Sequence, residues 1–146
     1  MIARSEWTSK DLNSDLSTGY SQSGHVIRFD GSREHLEGPS PMEAVLMALC
    51  GCTSVDVVGI LKKKRQPLAS LTVSATAEQQ AEPPRYFNKI TLTYTVRSVG
   101  DVPLSRKAVE DAVALSKDKY CSVSAMLEKS AKIDFVIDYA GAEPIS

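Results

Sequence analysis

The sequence of 146 residues lacks the compositional features that mark several large classes of protein. It has no excess of one charge, because 17 Lys and Arg are balanced by 18 Asp and Glu for a formal net charge of -1. A general nucleic-acid-binding protein carries a basic excess, so we expect no nucleic-acid partner. Eight glycines and seven prolines are too few for a low-complexity chain.

Long apolar segments are also scarce. No uninterrupted run of about 18 apolar residues occurs, and the first residues, MIARSEWTSKDL, contain no apolar segment. We therefore expect no transmembrane helix, no secretory signal and no membrane partner, and a cytoplasmic location. The three cysteines are an odd number, and in such a chain we expect reduced thiols rather than a disulfide framework.

What is present fits one ordinary globular domain. Hydrophobic residues make up 42% and charged residues 24% of the chain, as in typical soluble domains. The length falls within the usual range of about 100–200 residues for a single domain. We expect one domain over residues 1–146, with strands and a loop in 1–38 and a helix, a hairpin, further helices and a closing strand in 39–146.

The clearest element is a long helix that begins near Pro41. Ser40 is the expected N-cap, Pro41 takes the first helical position and Glu43 completes a capping box. The next residues, AVLMALCGCTSVDVVGIL, are apolar on nearly every face, and Lys62–Arg65 suit the end of a helix. Such a helix spans about 36 Å, more than a small monomer can cover. We therefore expect an obligate homodimer in which two of these helices bury each other.

Alternating apolar and polar residues predict strands elsewhere. The alternation, with a period of two residues, predicts two strands within 68–99 that are joined through Pro83-Pro84. It also predicts a closing strand at KIDFVIDYA. Weaker patterns predict edge strands at Ile2–Trp7 and His25–Phe29. Helical spacing returns after Pro103, and CSVSAMLEKS predicts a further short helix. Strands and helices in separate runs predict the α+β class.

The cysteines are candidates either for chemistry or for packing. Cys50 and Cys52 differ by about 200° around the helix, so at most one of them faces a shared site. Cys121 precedes a helical run, where amide donors and the helix dipole lower a thiol pKa. Free cysteine is also among the most buried residue types, so both interpretations stay open. C-x-C with one distant cysteine is a poor zinc signature, and we expect no metal and no cofactor.

Two cysteine-bearing segments together resemble the OsmC/Ohr superfamily and its YhfA-like branch. These segments are GPSPMEAVLMALCGCTSVDVV and YCSVSAMLEK. The name stands for osmotically inducible protein C and organic hydroperoxide resistance protein. In that superfamily a Pro-Glu helix start precedes the first cysteine, and the second opens a later helix. The resemblance covers essentially the whole chain. It implies an intertwined homodimer in which two β-sheets wrap around two long central helices.

The resemblance also implies thiol peroxidase chemistry. It maps Cys52 to the peroxidatic residue and Cys121 to the resolving residue, and leaves Cys50 as a packing thiol. The peroxidatic thiolate becomes a sulfenic acid, which the second cysteine captures as a disulfide. The implied partners are a small-molecule peroxide and an unknown thiol reductant.

Other residues differ from the pattern of the characterised hydroperoxide reductases, which pair an Arg with a Glu ten positions before the peroxidatic cysteine. Met42 occupies that position here, so the neighbouring Glu43, together with Arg33, is a candidate supporting residue. The capping box explains Glu43 equally well. Asp56 lies one turn after Cys52, where a carboxylate opposes thiolate formation unless a cation pairs with it. A non-enzymatic protein that binds a small hydrophobic ligand, or senses redox state, therefore stays open beside an oxidative-stress peroxidase.

Overall fold

A computed structural model of the chain describes residues 1–10 and 15–140. It contains two three-stranded sheets and separate helices, which confirms the α+β class. The chain divides after Leu46 into two compact units. The assignment of residues 1–146 to a single domain, with an N-terminal part ending at 38, stays a prediction.

The first unit contains an antiparallel sheet in the order β1-β2-β3. The strands are β1 (Ala3–Glu6), β2 (Leu16–Ser21) and β3 (Val26–Asp30). The predicted edge strands correspond to β1 and β3, whereas β2 was not predicted. The buried Asp30 organises the loop after β3, because its carboxylate accepts hydrogen bonds from the amides of Ser32 at 2.8 Å and Glu37 at 3.1 Å.

Helix α1 (Pro41–Lys63) begins with the predicted capping box. The Ser40 amide donates to Glu43 Oε2 at 2.7 Å, and the Glu43 amide donates to Ser40 Oγ at 3.1 Å. These two bonds satisfy backbone donors that the first helical turn leaves without partners. The hydrogen bond from Ser40 also lowers the pKa of the Glu43 carboxyl.

Only one stripe of α1 is buried within the chain. It consists of residues one turn apart: Leu49, Thr53, Val57 and Leu61. The helix is also long and apolar enough, by length and composition, to cross a membrane. Glycine, serine and threonine interrupt its apolar run without making the helix polar, and the expectation of no transmembrane helix stays a prediction. One helix of this kind is weak evidence, since the core helix of a soluble protein passes the same test.

The second unit contains a mixed sheet in the order β4-β5-β6. Strands β4 (Leu68–Gln79) and β5 (Phe87–Ser98) form the predicted antiparallel hairpin, and β6 (Lys132–Tyr139) pairs parallel to β5. A parallel neighbour requires a long crossover connection. Helix α2 (Arg106–Leu115), a π-helical turn (Ser116–Tyr120) and helix α3 (Ser122–Leu127) form this crossover. The crossover places the second predicted thiol segment beside α1.

The capping box supports a stability prediction. Ser40→Ala removes the acceptor of the Glu43 amide, so we expect the free energy of unfolding to fall by about 0.5–2 kcal/mol. Urea unfolding of the reduced protein measures this loss. Ser74→Ala, at an exposed position of β4, is the matched control and should change stability by less than about 0.5 kcal/mol. Equal losses in both variants would show that the cap contributes nothing.

Candidate functional site

The structure brings together two thiols that lie far apart in the sequence. Cys52 belongs to α1, and Cys121 lies directly before α3. Their Sγ atoms and a carboxylate oxygen of Asp56 all lie within 4.8 Å of one another. All three cysteines are free thiols, so the pair is present in its reduced form. We refer to Cys52, Asp56 and Cys121 as the thiol–carboxylate cluster.

Local backbone structure explains how each member of the cluster is placed. Cys52 and Asp56 are one helical turn apart on α1, so their side chains project from the same face. The Cys121 amide donates to the carbonyl of Ser116 at 2.8 Å, which closes the π-helical turn. Cys121 then caps α3, because its Sγ accepts a hydrogen bond from the Ser124 amide at 3.4 Å.

Burial dominates the acidity of Cys121. Only 2% of this residue is exposed, and burial raises the pKa of its thiol. The contact with Ser124 lowers the pKa, while the adjacent Cys52 thiol raises it further. The expectation that a helix N-terminus lowers the pKa of Cys121 is therefore wrong in net sign. The amide donor is present, but α3 has only 6 residues and the sulfur is almost completely removed from water.

A chain of buried hydroxyl groups ends at Asp56. Tyr94 Oη lies 2.7 Å from Thr53 Oγ1, which lies 2.8 Å from Ser116 Oγ, and Ser116 Oγ donates to Asp56 Oδ2 at 2.9 Å. Each hydroxyl has a single proton, and an ionised carboxylate only accepts. Ser116 therefore donates to Asp56, Thr53 to Ser116 and Tyr94 to Thr53. We call Tyr94, Thr53 and Ser116 the hydroxyl chain.

The hydroxyl chain keeps one direction because its first member stays protonated. Burial raises the pKa of Tyr94 to about 12, so the phenol remains a donor at neutral pH. Thr53 and Ser116 are fully buried and Tyr94 is 1% exposed, so water does not compete for these bonds. The hydroxyl chain thus holds the Asp56 carboxylate beside the thiols. Sequence reasoning missed it, although a threonine in an apolar helix signals a buried hydroxyl that needs a partner.

Three further residues were singled out in the sequence: Cys50, Glu43 and Arg33. Cys50 is half-buried, and burial raises the pKa of its thiol. Glu43 and Arg33 belong to the first unit. The carboxylate of Glu43 accepts the Ser40 amide, as the capping interpretation requires. Arg33 is exposed in the loop after β3. Catalytic roles for Glu43 and Arg33 stay predictions.

A groove of about 390 Å³ opens beside Asp56. Its walls include apolar and basic side chains: Val55, Ile60, Leu115, Tyr120, Lys63 and Lys64. Such a groove is large enough for a small organic molecule with an apolar body and an acidic group. Asp56, a member of the thiol–carboxylate cluster, thus lines a space that a ligand can enter.

The fold is that of an OsmC-like protein. The family model described as OsmC-like protein matches residues 31–136, so the chain belongs to this family. The chain is 46% identical to Protein YhfA of Escherichia coli strain K12 over 117 residues, which cover 79% of this chain and 83% of that protein. The resemblance to the OsmC/Ohr superfamily and its YhfA-like branch is therefore confirmed.

Solved structures agree with this assignment. A hypothetical protein from Aquifex aeolicus VF5 has a TM-score of 0.80 at 29% identity, over 97% of each chain. A Legionella pneumophila protein described as an organic hydroperoxide resistance protein OsmC has a TM-score of 0.68 at 13% identity, over 94% of this chain and 95% of that one. At 13% identity, the second comparison shows a shared fold alone.

The direction of the hydroxyl chain predicts which of two variants loses more stability. Thr53→Val removes the central member and leaves Tyr94 without an acceptor and Ser116 without a donor, so we expect a loss of about 1–3 kcal/mol. Tyr94→Phe removes only the terminal donor, and we expect a smaller loss of about 0.5–1.5 kcal/mol. Urea unfolding measures both losses.

Thr76→Val is the matched control for the central variant, because Thr76 is exposed on β4. It should leave the free energy of unfolding nearly unchanged, since β-branched residues fit an exposed strand equally well. A Thr53→Val protein as stable as Thr76→Val would contradict the buried hydroxyl chain.

Proposed function

We propose that this protein is a thiol-dependent reductase of organic hydroperoxides that acts in the response to oxidative stress. The observation that carries the proposal is the separation of at most 4.8 Å between the reduced sulfurs of Cys52 and Cys121. A disulfide requires about 2.05 Å between its sulfurs. The pair therefore needs a further approach of less than about 3 Å, which side-chain rotation and small backbone adjustments supply.

The exposure of the two thiols supports the assignment of their roles. Cys52 is half-buried, whereas Cys121 is buried and burial raises the pKa of its thiol. A peroxide reaches the more accessible sulfur first, so Cys52 is the peroxidatic residue. Cys121 is the resolving residue, because it needs to contact only the oxidised neighbour.

The proposed reaction has two steps. The Cys52 thiolate attacks one peroxide oxygen, the O–O bond breaks, and the alcohol leaves after taking a proton. The resulting sulfenic acid is attacked by the sulfur of Cys121, which forms the S–S bond and releases water. One dithiol and one hydroperoxide thus give one disulfide, one alcohol and one water. An external thiol reductant then restores both thiols.

Asp56 is a proposed proton carrier in this reaction. Its carboxylate lies within 4.8 Å of both sulfurs, close enough to exchange a proton directly or through one water molecule. It can take the thiol proton and return it to the departing alkoxide. The hydrogen bond from Ser116 keeps the carboxylate oriented through both steps. Glu43 and Arg33 remain proposed supporting residues. We rank Glu43 below Asp56 as a candidate, because the Glu43 carboxylate already accepts a hydrogen bond from the Ser40 amide.

The assembly we propose is a cytoplasmic homodimer. Helix α1 leaves large apolar side chains outside its buried stripe, with Met47 exposed by 57% and Val55 by 75%. Apolar surface of this extent on a central helix favours burial against a second copy. Two α1 helices packed together, with both sheets around them, form the intertwined arrangement implied by the family resemblance.

A second candidate function is the binding of a small hydrophobic ligand, with or without redox sensing. The groove beside Asp56 supports it, because its apolar walls and two lysines suit an organic acid. Under this alternative the groove holds the ligand through these walls, and the thiols are not turned over. Native mass spectrometry of the purified protein would then show a bound organic molecule.

Oxidation with cumene hydroperoxide tests the proposed chemistry. After excess peroxide and with a chelator present, peptide mass spectrometry should find a disulfide between Cys52 and Cys121 in the wild-type chain. Cys121→Ser should accumulate a sulfenic acid at Cys52 that dimedone traps, and Cys52→Ser should form no disulfide. Cys50→Ser is the matched control and should behave as the wild type. The proposal fails if both thiols of the wild type stay reduced.

A further inference from the structure

We propose that Cys52, Asp56 and Cys121 in their reduced state form a binding site for one divalent cation of the zinc class. The inference goes beyond the proposed peroxidase chemistry and does not depend on it. It starts from the donor set, because two sulfurs and one carboxylate oxygen lie within 4.8 Å of one another. Thiolate and carboxylate are both common zinc ligands.

The observed spacing is close to the one that a bound cation requires. Zinc–sulfur bonds of about 2.3 Å and zinc–oxygen bonds of about 2.0–2.2 Å in a tetrahedron place the donors roughly 3.5–3.8 Å apart. In the cluster the three donor atoms already lie within 4.8 Å of one another. Adjustments of about 1 Å by three side chains therefore complete the coordination.

Neighbouring groups hold two of the three ligands in place. The Ser116 hydroxyl donates to Oδ2 of Asp56, which leaves the other carboxylate oxygen available to a cation. The Ser124 amide donates to Cys121 Sγ. The Ser124 hydroxyl is buried and has no hydrogen-bond partner among the described residues, so it is available to donate to a thiolate. Hydrogen bonds of this kind orient ligands in metal sites and increase their affinity.

Charge provides a second argument for a cation. Two thiolates and a carboxylate this close repel one another when all three are ionised. Within residues 47–140, no lysine or arginine nitrogen lies within 4.0 Å of the Asp56 carboxylate. A divalent cation at the centre of the cluster offsets this repulsion and holds both thiols as thiolates.

The donor set also selects among metals. Two sulfur ligands favour zinc and cobalt over magnesium and calcium, which prefer oxygen ligands. Three protein donors leave a fourth tetrahedral position for water. If the thiol pair is oxidised as proposed above, the disulfide removes two of the three ligands. Metal binding and disulfide formation then exclude each other at the same sulfur atoms.

Cobalt titration of the reduced, chelator-treated protein without oxygen tests the site. We expect one Co²⁺ per chain, with a thiolate-to-cobalt charge-transfer band in the near ultraviolet and the intense visible bands of four-coordinate cobalt. Zn²⁺ should bleach both signals. Absence of the charge-transfer band in the wild-type protein would overturn the proposal, and this readout needs no variant to fold.

Variants identify the ligands. Cys52→Ser and Cys121→Ser should each lose most of the charge-transfer intensity, and Asp56→Asn should bind at least about tenfold more weakly. Ser116→Ala keeps all three ligands and should weaken binding by about 10–100-fold while retaining the spectrum. Cys50→Ser should match the wild type. An unchanged spectrum in Cys52→Ser or Cys121→Ser, or unchanged affinity in Asp56→Asn, would overturn the proposed donor set.

Two measurements separate this inference from the proposed function. Thermal unfolding of each metal-free variant shows whether it is folded, and Zn²⁺ should raise the melting temperature only where the ligands remain. The peroxide experiment is performed with chelator and is therefore independent of metal. Normal disulfide formation without cobalt binding would refute the metal site alone, whereas cobalt binding with unreactive thiols would refute the peroxidase alone.

Discussion

The hydrogen bond between Ser116 and Asp56 is the contact on which the arrangement of the site depends. It joins the π-helical turn to α1 over 60 positions of sequence. Because the carboxylate only accepts, it sets the direction of every hydroxyl bond behind it, back to Tyr94 on β5. The same contact keeps a negative group beside Cys52 and Cys121. Packing of helix, sheet and crossover is thus linked to the chemistry of the thiols through one buried polar connection.

Much of the fold could be predicted, because the strongest signals are local. The capping box at Ser40 and the alternation in β4, β5 and β6 depend on residues next to one another, and the structure has these elements where they were expected. Strand β2 was missed because LSTGYS has neither alternation nor β-branched runs. The parallel pairing of β6 with β5 could not be predicted from the sequence either, because the pairing depends on the path of the crossover and not on the residue pattern of either strand.

The site was predicted less completely, for a related reason. The pairing of Cys52 with Cys121 came from family resemblance, whereas the position of Asp56 followed from helical spacing alone. Thr53, Tyr94 and Ser116 were missed because their bonds join residues 41 and 63 positions apart. The acidity of Cys121 was misjudged because a local effect, the amide donor of α3, competes with burial, which only the tertiary structure determines. Contacts across the fold carry the information that a linear pattern lacks.

A carboxylate held beside the paired thiols changes what these thiols need. A peroxidase site with a positive group beside the thiolate stabilises the attacking anion permanently. In this cluster the group oriented beside the thiols is a carboxylate, which opposes thiolate formation unless a cation pairs with it. The proposed peroxidase reaction uses Asp56 to carry a proton to the departing alkoxide, and the proposed metal site uses Asp56 as a ligand. The two proposals therefore involve the same carboxylate and the same two sulfurs. If both proposals hold, free metal and peroxide act in opposition on this site, because each consumes the form of the thiols that the other requires.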